Sequence, residues 1–226
     1  FSMLGWGCLF VAAFVSSISY LFRFVRWHSC LGAFGHQVPV RRSLAIYLSG
    51  LALTTSPGKL GETLRSALLL QDKVPVTQSL GMFLADRLSD VFAVCILMVL
   101  AGLVAGHVEC LGLAVLATLL TGSFIFRRIV LHPELGRGWA WLVRRSRLWH
   151  HGRETLESWG RLWSPVRVAG FVVLAVIAYG VQALVFSALC AQLDMHLGLA
   201  QSIGIFCKAT LFGAASMVPG GLGAME

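Results

Sequence analysis

The sequence predicts an all-α integral membrane protein: a polytopic helical bundle with two opposed re-entrant helical hairpins arranged as an inverted repeat. Three observations predict it. Of the 226 residues 57% are hydrophobic and only 12% charged, about half the charged share of a soluble domain, and the mean hydropathy is +0.79. Four long apolar runs occur along the chain. Two further apolar stretches are broken by the related motifs "SPGKLGE" and "VPGGLGAME". We read one membrane domain, 1–226, with a first repeat over 1–104 and a second over 111–226.

The four runs, 3–22, 76–104, 111–126 and 166–190, approach or exceed the roughly 17 residues needed to cross a bilayer, the third being the shortest. The first is not preceded by a basic residue and is followed by Arg23 and Arg26. That order argues against a signal peptide and turns the end of the run toward the cytoplasm. Nine of the fifteen arginines lie within 127–167, together with Trp139, Trp141, Trp149, Trp159 and Trp163. Indoles favour headgroup level and guanidinium groups pair with lipid phosphate, so this segment reads as an interfacial helix on the cytoplasmic leaflet. Leu142, Trp149, Leu156 and Trp163 recur every seven residues as one helical face; a solvated basic loop is the alternative. The net charge of +8 therefore points to a membrane surface and excludes nucleic acid as the expected partner. The six cysteines form no CxxC pair and suggest neither a disulfide framework nor a metal site.

Topology then constrains the broken stretches. If 43–70 crossed once, the basic segments 23–42 and 127–167 would fall on opposite sides; if it enters and returns, both are cytoplasmic. Thirteen residues (43–55) precede Ser56-Pro57, about 20 Å of helix against a hydrocarbon core of about 30 Å. By the same count 197–226 starts from outside and breaks at Pro219-Gly220-Gly221, so the two hairpins enter from opposite faces, as in inverted-repeat transporters.

The breaks have a chemical use. Ser56 can cap a helix that begins at Pro57. Gly58, Gly61, Gly220, Gly221 and Gly223 leave backbone N–H groups open to a ligand. Two helix N-termini facing the midplane suit an anion, above all a phosphate. Lys59 and Arg65 would add full positive charge, and Glu62, three residues from each, would pair with them or meet a cationic or hydroxyl-bearing part of the substrate. The bland alternative is an interfacial ion ladder. Asp86, Arg87 and Asp90 in "FLADRLSDVFAV" share one helical face; Arg87 with Asp90 either locks helix packing or presents an ordered arginine to phosphate. Lys208 is a lone charge in an apolar run, a ligand or a snorkelling side chain.

Enzyme motifs are absent. Gly58-Lys59 lacks the P-loop frame, no HExxH or GxSxG occurs, and no metal, nucleotide or other cofactor is expected. A membrane-embedded lipid-modifying transferase using Glu62, Asp86 or Asp90 as base, or the membrane anchor of a lipid synthase, is the alternative to a transporter.

"YLFRFVRWHSCLG", "SPGKLGETLRSALLL", "DRLSDVFAV" and "VPGGLGAME" occur in the order and approximate spacing of the lysylphosphatidylglycerol synthase transmembrane region, the flippase-like integral membrane family, which the chain resembles over nearly its whole length. The resemblance implies further helices before Phe1 and after the second motif, a prokaryotic cytoplasmic membrane with the arginine-rich segments inside, and movement of a phosphate-bearing lipid between leaflets. Aminoacylated phosphatidylglycerol and polyprenyl-phosphate sugars are the implied lipid partners; assembly with further copies of the chain stays open. It maps Lys59, Gly61, Glu62 and Arg65 to a first motif, Arg87 and Asp90 to the next helix, and Pro219, Gly220, Gly221, Gly223 and Glu226 to a second. It carries no synthase activity here, since the soluble aminoacyl-transferase domain of some members is not in this sequence.

Overall fold

A computed structural model describes residues 5–52, 60–131 and 147–215, the side chains of 60–63, 131, 147–150 and 215 excepted. The described residues form helices and connecting turns, with no strand among them. In chain order the helices are α1 (Trp6–Ala33), α2 (Val40–Ala52), α3 (Leu60–Leu70), α4 (Val76–Val104), α5 (Cys110–Leu131), α6 (Arg147–Leu162), α7 (Pro165–Gln192) and α8 (Leu199–Ala215). Four of them, α1, α4, α5 and α7, are long and apolar enough to cross a membrane. Large apolar side chains stay on their outer surfaces: on α1, Trp6, Phe10 and Phe14 recur every four residues and are each more than 70% exposed. Such a stripe is costly in water and at home in lipid.

The helix ends follow from one local device. After α1, α3, α4 and α7 a residue takes a left-handed conformation, at Gly35, Lys73, Gly106 and Asp194. In each case the next residue's N–H returns to a carbonyl five residues back, as in His36 to Leu31 (3.1 Å) and His107 to Gly102 (3.0 Å). This Schellman arrangement satisfies carbonyls that the last turn would otherwise leave open. Glycine makes it easy at Gly35 and Gly106, and the other two sites adopt it at some steric cost.

The predicted spans are found as helices, with two extensions: the third runs past 126 to Leu131 and takes Arg127 and Arg128, read as part of the interfacial segment, into α5, and the first runs on past Phe22. α1 does not stop at Phe22 but continues for eleven residues, so Arg23 and Arg26 are helical rather than part of a basic loop. They need not leave the helix because each finds protein partners: Arg23 donates to Gln182 Oε1 (3.1 Å), and Arg26 pairs with Asp86.

The chain divides into two compact units. The first takes Phe1–Val25, Ser89–Ala117 and Phe171–Glu226. Its core gathers Ala93, Val94 and Met98 of α4, Ala175 and Tyr179 of α7 and Cys207 of α8. Ser19, Gln182 and Arg23 form a hydrogen-bonded chain inside it, with the Arg23 guanidinium 4.5 Å from the Tyr179 ring centre. At its α4–α5 turn, Glu109 accepts from Lys208 Nζ of α8 (2.7 Å) and meets His107 Nε2 (3.0 Å). These contacts hold the Glu109 carboxyl below the usual carboxylate range, the Lys208 hydrogen bond contributing most and His107 next. Lys208, read from the sequence as a ligand or a snorkelling side chain, is found as the ion-pair partner of Glu109.

The second unit takes Arg26–Leu88 and Thr118–Gly170. Here α6 packs on α4 and α5 through Thr155, Ser158, Trp159 and Leu162. Trp159 and Trp163 stack with ring centres 5.6 Å apart and are almost fully buried. The expected indoles at headgroup level are therefore corrected for these two: the apolar face of α6 is covered by protein, because Gly81 of α4 lets the helices close in. A Cβ at Gly81 would lie 2.9 Å from the Trp159 backbone nitrogen and from Ser158 Cβ.

Candidate functional site

The site lies in the second unit, around the α2–α3 pair. α2 and α3 pack against each other. The two helices run antiparallel. Arg42 at the start of α2 bonds Asp72, just beyond the end of α3, at 2.9 Å, while residues deeper in α2 meet Arg65 of α3. The connecting residues 53–59, with Ser56, Pro57, Gly58 and Lys59, lie outside the described residues, as do Pro219, Gly220, Gly221, Gly223 and Glu226. Gly61 and Glu62 fall in the first turn of α3, where only the backbone is described.

Arg65 is the predicted site residue that the structure describes most fully. It is 6% exposed and directed back at α2. Its guanidinium sits 4.5 Å from the Tyr47 ring centre and donates to the Tyr47 carbonyl at 3.3 Å. Gly50 opposes it one turn further along α2, and a Cβ there would collide with the Arg65 side chain. Tyr47 is held in turn by Trp27 of α1, with ring centres 5.8 Å apart. An arginine over an aromatic face is stabilised without losing its charge, which is the property a buried anion site requires.

Arg65 opens onto a small cleft together with Trp27, Ser66, Ser79, Leu80, Phe83 and Asp86. Ser66 and Ser79 share a hydrogen bond of 2.8 Å that ties α3 to α4. Asp86 is bound by Arg26 through both Nε, at 2.6 Å, and the terminal nitrogen, and Arg87 approaches its other oxygen at 3.6 Å. Arg26 is 1% exposed, whereas Arg87 is about half exposed and lies over Phe83 at 5.3 Å. The cleft lining thus carries one cation, Arg65, and one carboxylate, Asp86, the latter paired with Arg26. Asp90 is buried. The structure gives Arg87 a contact with Asp86 and makes Arg26–Asp86 the short, buried pair.

Sequence reasoning missed Arg26, Tyr47 and Trp27. The available signal was that apolar residues resume after Arg26, with Cys30 and Leu31 one turn on, so the arginine sits inside a helix rather than at its boundary.

Four long apolar helices with lipid-ready outer faces, and arginines buried against partners on other helices, define a helical integral membrane protein. The family profile described as "Lysylphosphatidylglycerol synthase TM region" matches residues 1–226, the whole chain, and the protein belongs to that family. Comparisons with curated proteins and with solved structures returned no match.

Proposed function

We propose that the protein moves a phosphate-bearing lipid between the leaflets of a prokaryotic cytoplasmic membrane. The reading rests on Arg65: a buried guanidinium fixed by Tyr47 and Gly50 beside a cleft whose carboxylate, Asp86, is already paired with Arg26, in a chain of this membrane family. The headgroup phosphate would take its contacts from Arg65, from Lys59, and from the N-terminal backbone of α3 near Gly58 and Gly61, while the lipid tails remain in hydrocarbon. Arg26 neutralises Asp86, so the carboxylate does not repel the anion; Arg87, half exposed, is placed to receive it first. The motif around Pro219, Gly220, Gly221, Gly223 and Glu226 would serve the opposite leaflet in the same way, with α2–α3 and the segment beginning at α8 as the two re-entrant hairpins. Replacement of headgroup hydration by these fixed donors lowers the barrier, and neither nucleotide nor metal enters that step.

The test is transport of headgroup-labelled anionic phospholipid in liposomes containing the purified chain. Arg65→Gln should reduce the rate by about thirtyfold or more at normal protein levels, because a desolvated phosphate deprived of its charge partner costs ~2 to 5 kcal/mol. A rate within about threefold of the parent, the scale of exposed ion pairs, would remove the phosphate site. Chemical change of the headgroup in place of translocation would favour the transferase alternative.

A further inference from the structure

In the second unit, α5 and α7 both reach the end of α6, and arginines gather where they meet it. Arg127, near the end of α5, donates its Nε–H to the Gly160 carbonyl at 3.0 Å. Arg167, in the first turn of α7, donates to the next carbonyl, that of Arg161, at 3.0 Å. Both acceptors lie in the last turn of α6, so two arginines from other helices complete its end. Arg161 itself, and Arg128 beside Arg127, are exposed. Four guanidinium groups thus belong to one junction.

We propose that this junction binds the headgroup phosphate of an anionic phospholipid in the adjoining leaflet, a lipid held in place rather than transported. Three observations carry it. The first is charge. Among the described residues no carboxylate pairs with any of the four arginines, and Glu157, one turn before Arg161 on α6, is taken by Arg153 at 2.7 Å. Like charges gathered in this way repel, and an anion among them relieves the repulsion. The second is donor chemistry. A guanidinium carries five N–H donors, and Arg127 and Arg167 each spend one on a carbonyl, which fixes the group and leaves the others for a ligand. A planar fork held in this way matches the oxygens of a phosphate. The third is place. Arg128 closes α5 and Arg167 opens α7, both helices long and apolar enough to span a bilayer, so the cluster lies at the level of headgroups. Ile125 and Val166, 61% and 85% exposed, stand beside the arginines and meet acyl chains. A phospholipid supplies both the anion and the hydrocarbon, whereas inorganic phosphate supplies only the first.

The proposal does not depend on transport. The full chain in detergent micelles is titrated with phosphatidylglycerol, or with phosphatidylcholine of the same acyl chains, and bound lipid is counted by native mass spectrometry. Phosphatidylglycerol should be retained more tightly. Arg128→Gln and Arg161→Gln, neither of which breaks a contact with the described protein, should each weaken its binding about fivefold, the worth of one basic side chain near an anionic lipid. Together they should weaken it by about twenty-five-fold, with phosphatidylcholine binding and the melting temperature unaltered. Lys73→Gln, an equal change of charge at the exposed end of α3, should leave phosphatidylglycerol binding as it was. The loss from the Arg128 and Arg161 pair should persist in full in an Arg65→Gln background, so failure of the transport reading and failure of this one give separate results. Inorganic phosphate in large excess should not displace the lipid. Parental retention by the double variant would overturn the proposal and leave the arginines as caps of α6. An equal loss from Lys73→Gln would overturn it in favour of a diffuse positive surface, and displacement by inorganic phosphate in favour of a site for free anions.

Discussion

Arg26 illustrates how a charge can be hidden in plain sight. In the sequence it follows an apolar run and reads as a topological marker; in the structure it is 1% exposed and bound to Asp86 by two nitrogens. The misreading has a physical source: charge near the end of a run signals a boundary unless a partner lies on another helix, and Asp86 is sixty positions away. Removing one member of such a pair leaves the other charged and buried. Asp86→Asn should therefore destabilise the chain by ~3 to 5 kcal/mol, read as the shift in its unfolding transition in detergent. Glu109 behaves differently, since it lies in a turn and titrates. Its folded pKa is lowered from the ordinary 4.5. The Lys208 contact therefore contributes stability above pH 4.5, and that contribution is lost as the pH falls through the lower, folded value. The melting temperatures of the parent and Glu109→Gln, well separated at neutral pH, should converge in acid.

Among the elements, the helical pair α2–α3 depends on a missing side chain. Gly50 accepts the Arg65 stem where any Cβ would collide with it. Gly50→Ala should cost ~1 to 3 kcal/mol by displacing that side chain. In an Arg65→Ala background the same change should cost less than about 0.5 kcal/mol, because the atoms it strikes are gone; the double-mutant cycle in unfolding free energy checks this. The long helices themselves were legible because eighteen or more apolar residues leave few alternatives: α4 was anticipated to the residue, and α7 within two at its far end. The extension of α1 and the covered face of α6 were not legible. Both depend on partners distant in the chain, Asp86 and Gln182 for the arginines and Gly81 for Trp159, and periodicity shows which face of a helix is apolar without showing what covers it. Of the candidate site, the motif disclosed Arg65 but not Tyr47, since an aromatic inside an apolar helix looks like any core residue.

For the whole molecule, the proposed hairpin makes a statement about sidedness. Single cysteines at position 73, after α3, and within 147–162, on α6, should react with an impermeant thiol reagent from the same side of the membrane, and cysteines at 109 and 194 from the other. Opposite labelling of 73 and α6 would turn α2–α3 into a crossing segment and remove the inverted repeat. The Arg26–Asp86 pair also sets a mechanical condition on any cycle of movement. A slide of α1 along α4 by one helical turn, about 5.4 Å, would carry the guanidinium out of reach of its carboxylate and strand two charges in a medium that cannot solvate them. Residues 26–33 of α1 and 76–88 of α4 are thereby held in register, whereas α2 and α3 meet them through hydrogen bonds and ring contacts, among them His28 with Ser43, Ser66 with Ser79 and Trp27 with Tyr47, so the proposed passage of a headgroup would draw its displacement from that pair.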